Sequence, residues 1–139
     1  EYKASQMNLK ELLETSDVIT VHTPLNEATR GMMNKDTFSQ MKNSAIFIST
    51  ARGPVTVEAD LINALDTSQI AGAGLDVFEE EPTPNDNKLF NRDNVVVTPH
   101  MAGTTIDTSY RRIAFAYENI QRVSRGEKPL AIINTDLQN

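Results

Sequence analysis

The feature that most constrains this chain is a short apolar run that stops at a polar residue, seen in Ile70-Ala-Gly-Ala-Gly-Leu-Asp-Val-Phe-Glu-Glu-Glu-Pro82 and again in Val95-Val-Val-Thr-Pro-His100. A buried strand of a parallel sheet has this form where its carboxyl end emerges beside a ligand crevice. The reading places Asp76, Glu81 and His100 at one edge. A carboxylate near a histidine can fix the imidazole tautomer and favour its protonated form, which is the orienting half of an acid–base pair. The same residues taken alone also fit a solvated acidic loop and a strand-end histidine.

Two further runs, Val18–Val21 and Ala45–Ser49, read as strands of the same kind. Between the strands the spacing predicts helices. Asn8 caps one that runs to about Thr15, and Asn34 caps one carrying Phe38 and Met41. Thr56 is placed to cap a third, with Val57, Leu61, Ile62 and Leu65 as its apolar stripe. The segment Glu79–Asn94, rich in Pro, Asn and acidic residues, is too long for a simple connector. A last helix is predicted over Thr105–Arg125, with Ile106, Tyr110, Ile113, Tyr117 and Ile120 as a core-facing stripe and Gly126 at its C-terminal cap. Strands alternating with helices or long loops make an α/β parallel sheet, with helices expected on both faces and function at the strand carboxyl ends.

The 139 residues, 39% of them hydrophobic, suit one core, hence one domain. A net charge of -6 argues against nucleic acid or an anionic membrane as partner and favours a small molecule. Without cysteine there is no disulfide and no thiolate zinc site, and the two histidines form no H-E-x-x-H pattern, so no metal is expected. No apolar run is long enough to span a membrane and no leader opens the chain, so a cytoplasmic protein is expected. Gly72-Ala-Gly74 enters a strand instead of leaving one, which is wrong for a dinucleotide fingerprint and suits close packing.

Arg52, Glu81 and His100 follow successive strands, and an α/β sheet lines such loops along one edge. A guanidinium binds a carboxylate bidentately and polarises a neighbouring carbonyl, while a carboxylate-held histidine gives or takes one proton. Together these groups would serve a 2-keto acid. Arg52 by itself also fits a surface arginine in a turn. His22 has no carboxylate near it in sequence and is not read as the acid–base group.

These residues resemble the D-isomer-specific 2-hydroxyacid dehydrogenases. The resemblance runs through Ser16-Asp-Val-Ile-Thr-Val-His-Thr-Pro-Leu25, Thr29-Arg-Gly31, Thr50-Ala-Arg-Gly53, Ala73-Gly-Leu-Asp-Val-Phe-Glu-Glu-Glu-Pro82 and Asn94-Val-Val-Val-Thr-Pro-His-Met-Ala-Gly103. It implies a Rossmann-type domain and an NAD-dependent oxidoreductase that interconverts 2-keto acids and D-2-hydroxy acids. By the resemblance Arg52 binds the substrate carboxylate and carbonyl, His100 is the acid–base group and Glu81 pairs with it. Asp76 meets the nicotinamide carboxamide, and His22, Thr23, Pro24, Thr50, Ala51, Arg52, His100 and Gly103 complete the cofactor's surroundings. A homodimer through the nucleotide-binding domain is implied as well.

The family also carries a Gly-rich phosphate loop on a first βαβ unit, an acidic residue for the adenosine ribose and a separate substrate domain, and the chain shows none of these. Residues 1–139 are therefore expected to be the later part of one NAD-binding domain, inactive alone, with the choice of NAD or NADP left open. Ser49 stands where the family usually has Asn, and Pro54 where a non-Pro residue is usual. Two other functions stay open: a non-catalytic NAD(H) sensor of corepressor type, and a formate dehydrogenase-like enzyme. Formate dehydrogenases place Gln where this chain has Glu81.

Overall fold

The structure is a computed structural model that describes residues 4–133. The chain divides into two compact units, Glu1–Ala102 and Gly103–Asn139. In the first, α1 (Leu9–Thr15) leads into β1 (Val18–Val21), followed by α2 (Lys35–Ser39), β2 (Ile46–Ser49), a short 3-10 turn (Gly53–Val55), α3 (Glu58–Asp66), β3 (Gly72–Leu75) and β4 (Val95–Val97). The strands form one parallel sheet in the order β1-β2-β3-β4.

The register explains which residues make the core. Ile19, Phe47 and Ala73 are cross-strand neighbours, as are Val21, Ser49 and Leu75, and all six are buried. The alternate rows, Val18–Ile46–Gly72 and Thr20–Ile48–Gly74–Val96, point the other way, where Val18 is 56% and Val96 70% exposed. Helices α1 and α2 touch, and so do α2 and α3, so they form one layer. Strands that step in one direction with crossovers of one hand put successive helices on the same side. Helices on both faces, as expected from the sequence, are not found among the described residues of the first unit. The core centres on Phe38 of α2, set edge to face on Phe47 of β2 with ring centroids 5.3 Å apart. Burial of each ring contributes about 2 to 3 kcal/mol.

Local signals set most boundaries. The Asn8 side chain accepts the Glu11 N–H at 2.9 Å, and Asn34 forms a capping box with Thr37. Helix α3 departs from expectation, because Val57 is its N-cap and the buried Thr56 hydroxyl has no hydrogen-bond partner. Gly72 is needed for close approach, since a Cβ there would lie 2.7 Å from the Asn94 carbonyl oxygen. Strand β3 ends at Leu75, and the chain from there to β4 is irregular.

In the second unit, α4 (Ile106–Ser124) is bracketed as the sequence indicates, with a Thr105–Thr108 capping box and Gly126 at φ 74° past the C-cap Arg125. The predicted core role of its stripe is corrected. No residue of α4 is buried, and Ile106, Tyr110, Ile113, Tyr117 and Ile120 are all between 61% and 76% exposed. Helical spacing reveals an apolar face but not what covers it. Among the described residues no helix is long and apolar enough to cross a membrane.

Candidate active site

The site is built where β3 and β4 end. Asp76 follows β3 directly and is 3% exposed. Its Oδ1 accepts the Thr98 hydroxyl at 2.5 Å and the Met101 N–H at 2.8 Å, and its Oδ2 accepts the Ala102 N–H at 2.8 Å. One carboxylate thus folds the chain after β4 back over the end of β3. Burial works to raise the Asp76 pKa, but these three bonds and the nearby His100 charge outweigh it and hold the carboxyl below its ordinary range. At the apex of the tied turn stands His100, a non-glycine residue at φ 51°. Such a left-handed residue is uncommon and persists only where its surroundings fix it.

Glu81 approaches from the loop after β3. Its Oε2 lies 2.7 Å from His100 Nδ1, and its Oε1 accepts the Phe78 N–H at 2.9 Å. The two side chains are 34% and 46% exposed, so the pair is open to an incoming molecule. Burial pushes the Glu81 pKa up, but the bonds from His100 and Phe78 and the charges of His100 and Arg52 prevail and hold it below the usual glutamate value. Because a carboxylate only accepts, Nδ1 carries a proton in this pair and Nε2 is left for chemistry. A concavity of about 650 Å³ opens beside it, walled by Phe78, Pro82, Phe90, Val97 and Pro99.

Arg52 lies in the loop after β2, exposed, with Nη1 donating to the Ala51 carbonyl at 2.6 Å. It makes no direct bond to Glu81 or His100 among the described residues, and its positive charge is felt at Glu81. His22 plays a different part. Its Nε2 is 2.8 Å from the Thr20 hydroxyl and its Nδ1 3.2 Å from the Thr50 hydroxyl, which links the ends of β1 and β2. Thr23, next to it, has a buried hydroxyl without a partner, and the carbonyl of Pro24 accepts from Thr29. Ala51 is buried. Gly103 opens the second unit, where its carbonyl accepts the Thr108 hydroxyl.

Three residues escaped the sequence reading. A Cβ on Gly53 would fall 1.7 Å from the Phe78 carbonyl oxygen, so the Arg52 loop is pressed against the Glu81 loop through a bare glycine. Thr98 serves Asp76, and Glu58 reaches from α3 to the acidic loop. Only Gly53 had a signal, its place beside Arg52. Among the described residues no three acidic or histidine side chains are grouped to hold a metal ion.

Residues 1–102 match the family described as D-isomer specific 2-hydroxyacid dehydrogenase, NAD binding domain. A glyoxylate reductase of Thermofilum pendens is 42% identical over 130 residues, which are 94% of this chain and 38% of that protein. The structure of D-lactate dehydrogenase with NAD+ from Lactobacillus jensenii is similar with a TM-score of 0.85 and 34% identity, covering 91% of this chain and 42% of that one. A D-isomer specific 2-hydroxyacid dehydrogenase of Xanthobacter autotrophicus in complex with NADPH and MES is 45% identical, with a TM-score of 0.71 over 88% of this chain and 50% of that one. The chain spans about two fifths of the length of the curated relatives it matches. On the match to residues 1–102, this chain belongs to the D-isomer-specific 2-hydroxyacid dehydrogenase family and carries its NAD-binding domain.

Proposed function

We propose that this chain supplies the acid–base half of a dehydrogenase that interconverts a small 2-keto acid and its D-2-hydroxy acid. The observation that carries the reading is the 2.7 Å pair of His100 Nδ1 and Glu81 Oε2, held at a strand end with the Arg52 charge nearby. Arg52 binds the substrate carboxylate and draws electron density from the adjacent carbonyl. The Glu81 carboxylate stabilises the imidazolium, and His100 passes the Nε2 proton to the carbonyl oxygen as the alcohol forms. In the other direction neutral His100 takes that proton back.

A nicotinamide cofactor fits this edge. The Thr23 hydroxyl is buried and unpartnered there, and the Thr50 hydroxyl and the His22 ring line the neighbouring strand ends. Thr23, Pro24, Thr50, Ala51, Arg52, His22 and His100 are the residues assigned to hold it, and Asp76 has room for one further hydrogen bond on Oδ2. When bound, the cofactor supplies the hydride that the keto carbon accepts. The full enzyme is proposed to be a cytoplasmic homodimer whose phosphate loop and substrate domain lie outside residues 1–139.

The test is the pH profile of kcat/KM for keto-acid reduction by the intact enzyme, with glyoxylate and hydroxypyruvate as substrates, for wild type and Glu81→Gln. Reduction needs protonated His100. Without the carboxylate the imidazolium loses its ionic partner, so the alkaline limb is expected to move to lower pH by about one unit, equivalent to about 1.4 kcal/mol. Turnover at low pH suffers less. An unmoved limb would remove Glu81 from the acid–base pair, and NADH binding with no turnover of any 2-keto acid would return the sensor reading.

A further inference from the structure

The loop that bears Glu81 carries Glu79, Glu80 and Asp86 as well, and a further carboxylate against it meets like charge. Glu58, the first residue of α3, is nonetheless directed at this loop and half-buried there. Its Oε2 accepts the Glu79 N–H at 3.3 Å and its Oε1 accepts the Asn87 side-chain amide at 2.6 Å. Asn87 in turn accepts the N–H of Leu89, which is 1% exposed. One side chain thus holds both ends of the segment 79–87 to α3, and Glu81 lies between the two holding points. On the near side, the Phe78–Glu79 peptide is wedged against Gly53, while the preceding Phe78 N–H is the group that fixes Glu81 Oε1.

From this geometry we propose that Glu58 is a positioning residue, which sets the Glu81 carboxylate at hydrogen-bonding distance from His100. It acts through the backbone of the acidic loop and touches neither member of the pair among the described residues. The proposal rests on the acid–base reading of His100 and Glu81. A carboxylate is the group this position calls for, because both its oxygens accept and its two partners both donate. Gln at position 58 keeps the shape but turns an NH2 group toward one of two donors, so one holding point is lost. The charges that bear on the pair itself are those of Arg52, felt at Glu81, and Asp76, which feels His100.

The experiment follows the ring signals of His100 by NMR against pH in the intact protein, for wild type, Glu58→Gln, Glu81→Gln and the double variant, together with the pH profile of keto-acid reduction. A His100→Gln variant identifies the His100 signals by their loss. The expected result is that Glu58→Gln moves both the His100 titration and the alkaline limb to lower pH, by about half a unit, part of the way to Glu81→Gln. In the double variant Glu58→Gln adds nothing to Glu81→Gln, because the carboxylate it positions is gone. Asn87→Ala, which removes one holding point and leaves Glu58 intact, moves both midpoints in the same direction. If Glu58→Gln lowers activity equally at every pH, leaves the His100 titration unmoved, or adds fully to Glu81→Gln, Glu58 is structural and the proposal falls. If instead Glu81→Gln itself leaves the titration unmoved, the acid–base reading beneath it has failed.

Discussion

Asp76 has three donors converging on its buried carboxylate at the turn around His100. Asp76→Asn keeps the size of the side chain but sets an NH2 group against at least one N–H or O–H. The expected loss of stability at neutral pH is about 2 to 3 kcal/mol, read from urea unfolding. The pH dependence has a definite sign. A carboxyl whose folded pKa lies below its ordinary 3.8 contributes stability that is fully present above that value and fades as pH falls through the lower, folded value. The gap between wild type and Asp76→Asn should therefore hold constant from pH 7 to about 5 and narrow below about 4. At this scale the sequence was a good guide to which residues gather, since Asp76, Glu81 and His100 all stand at the strand ends. It said less about their duties. That Asp76 ties the turn depends on Thr98 and two backbone N–H groups coming within reach, and nothing in residue spacing carries that information.

Between elements, the Arg52 loop and the Glu81 loop are registered by contact at Gly53. An alanine methyl there would sit 1.7 Å from the Phe78 carbonyl oxygen and 2.7 Å from the Glu79 nitrogen, both backbone atoms with no rotamer to yield. Gly53→Ala is expected to force the loops apart, at about 3 kcal/mol or more by thermal or urea unfolding, and to lower turnover with Arg52, Glu81 and His100 all in place. Gly74→Ala is the control. Its methyl would meet Ile48 at an ordinary 3.8 Å, and the change should alter stability by less than about 1 kcal/mol. Elements whose signals are local were readable in advance: Asn8 and Asn34 cap α1 and α2, and Thr105 with Gly126 bounds α4. Thr56 misled because a capping residue type is only an opportunity, and here Val57 takes the cap position. The Glu58 contact to the acidic loop joins residues 21 apart in sequence, across α3 and β3, and left no periodic trace.

At the largest scale, β1 has a strand neighbour on one side only among the described residues, and Val18 and Val96 on one face of the sheet are exposed. An open edge beside exposed apolar surface invites pairing with another chain. Residues 1–139 alone are expected to self-associate and to bind NADH too weakly to measure, because no glycine-rich turn for the pyrophosphate opens a helix in this sequence. Sedimentation and calorimetry together decide this, and micromolar NADH binding to a monomer would refute it. The fold class was legible because strand-length apolar runs separated by helical spacing have few solutions. The exposed stripe of α4 was not, since an apolar face has the same pattern whatever covers it. The plain succession of the strands has one more consequence, for how the chain acquires its shape. Every strand pairs with the one made just before it, and register partners such as Val18 and Ile46 or Ala73 and Val95 are less than about 30 residues apart, so each loop closed during folding is short. The sheet can grow by one strand at a time as the polypeptide leaves the ribosome, and Arg52 is in place early. The His100–Glu81 pair has to wait until Ala102 has emerged and reached Asp76, so a chain stalled short of that residue would display a nearly finished sheet with His100 not yet held in its turn.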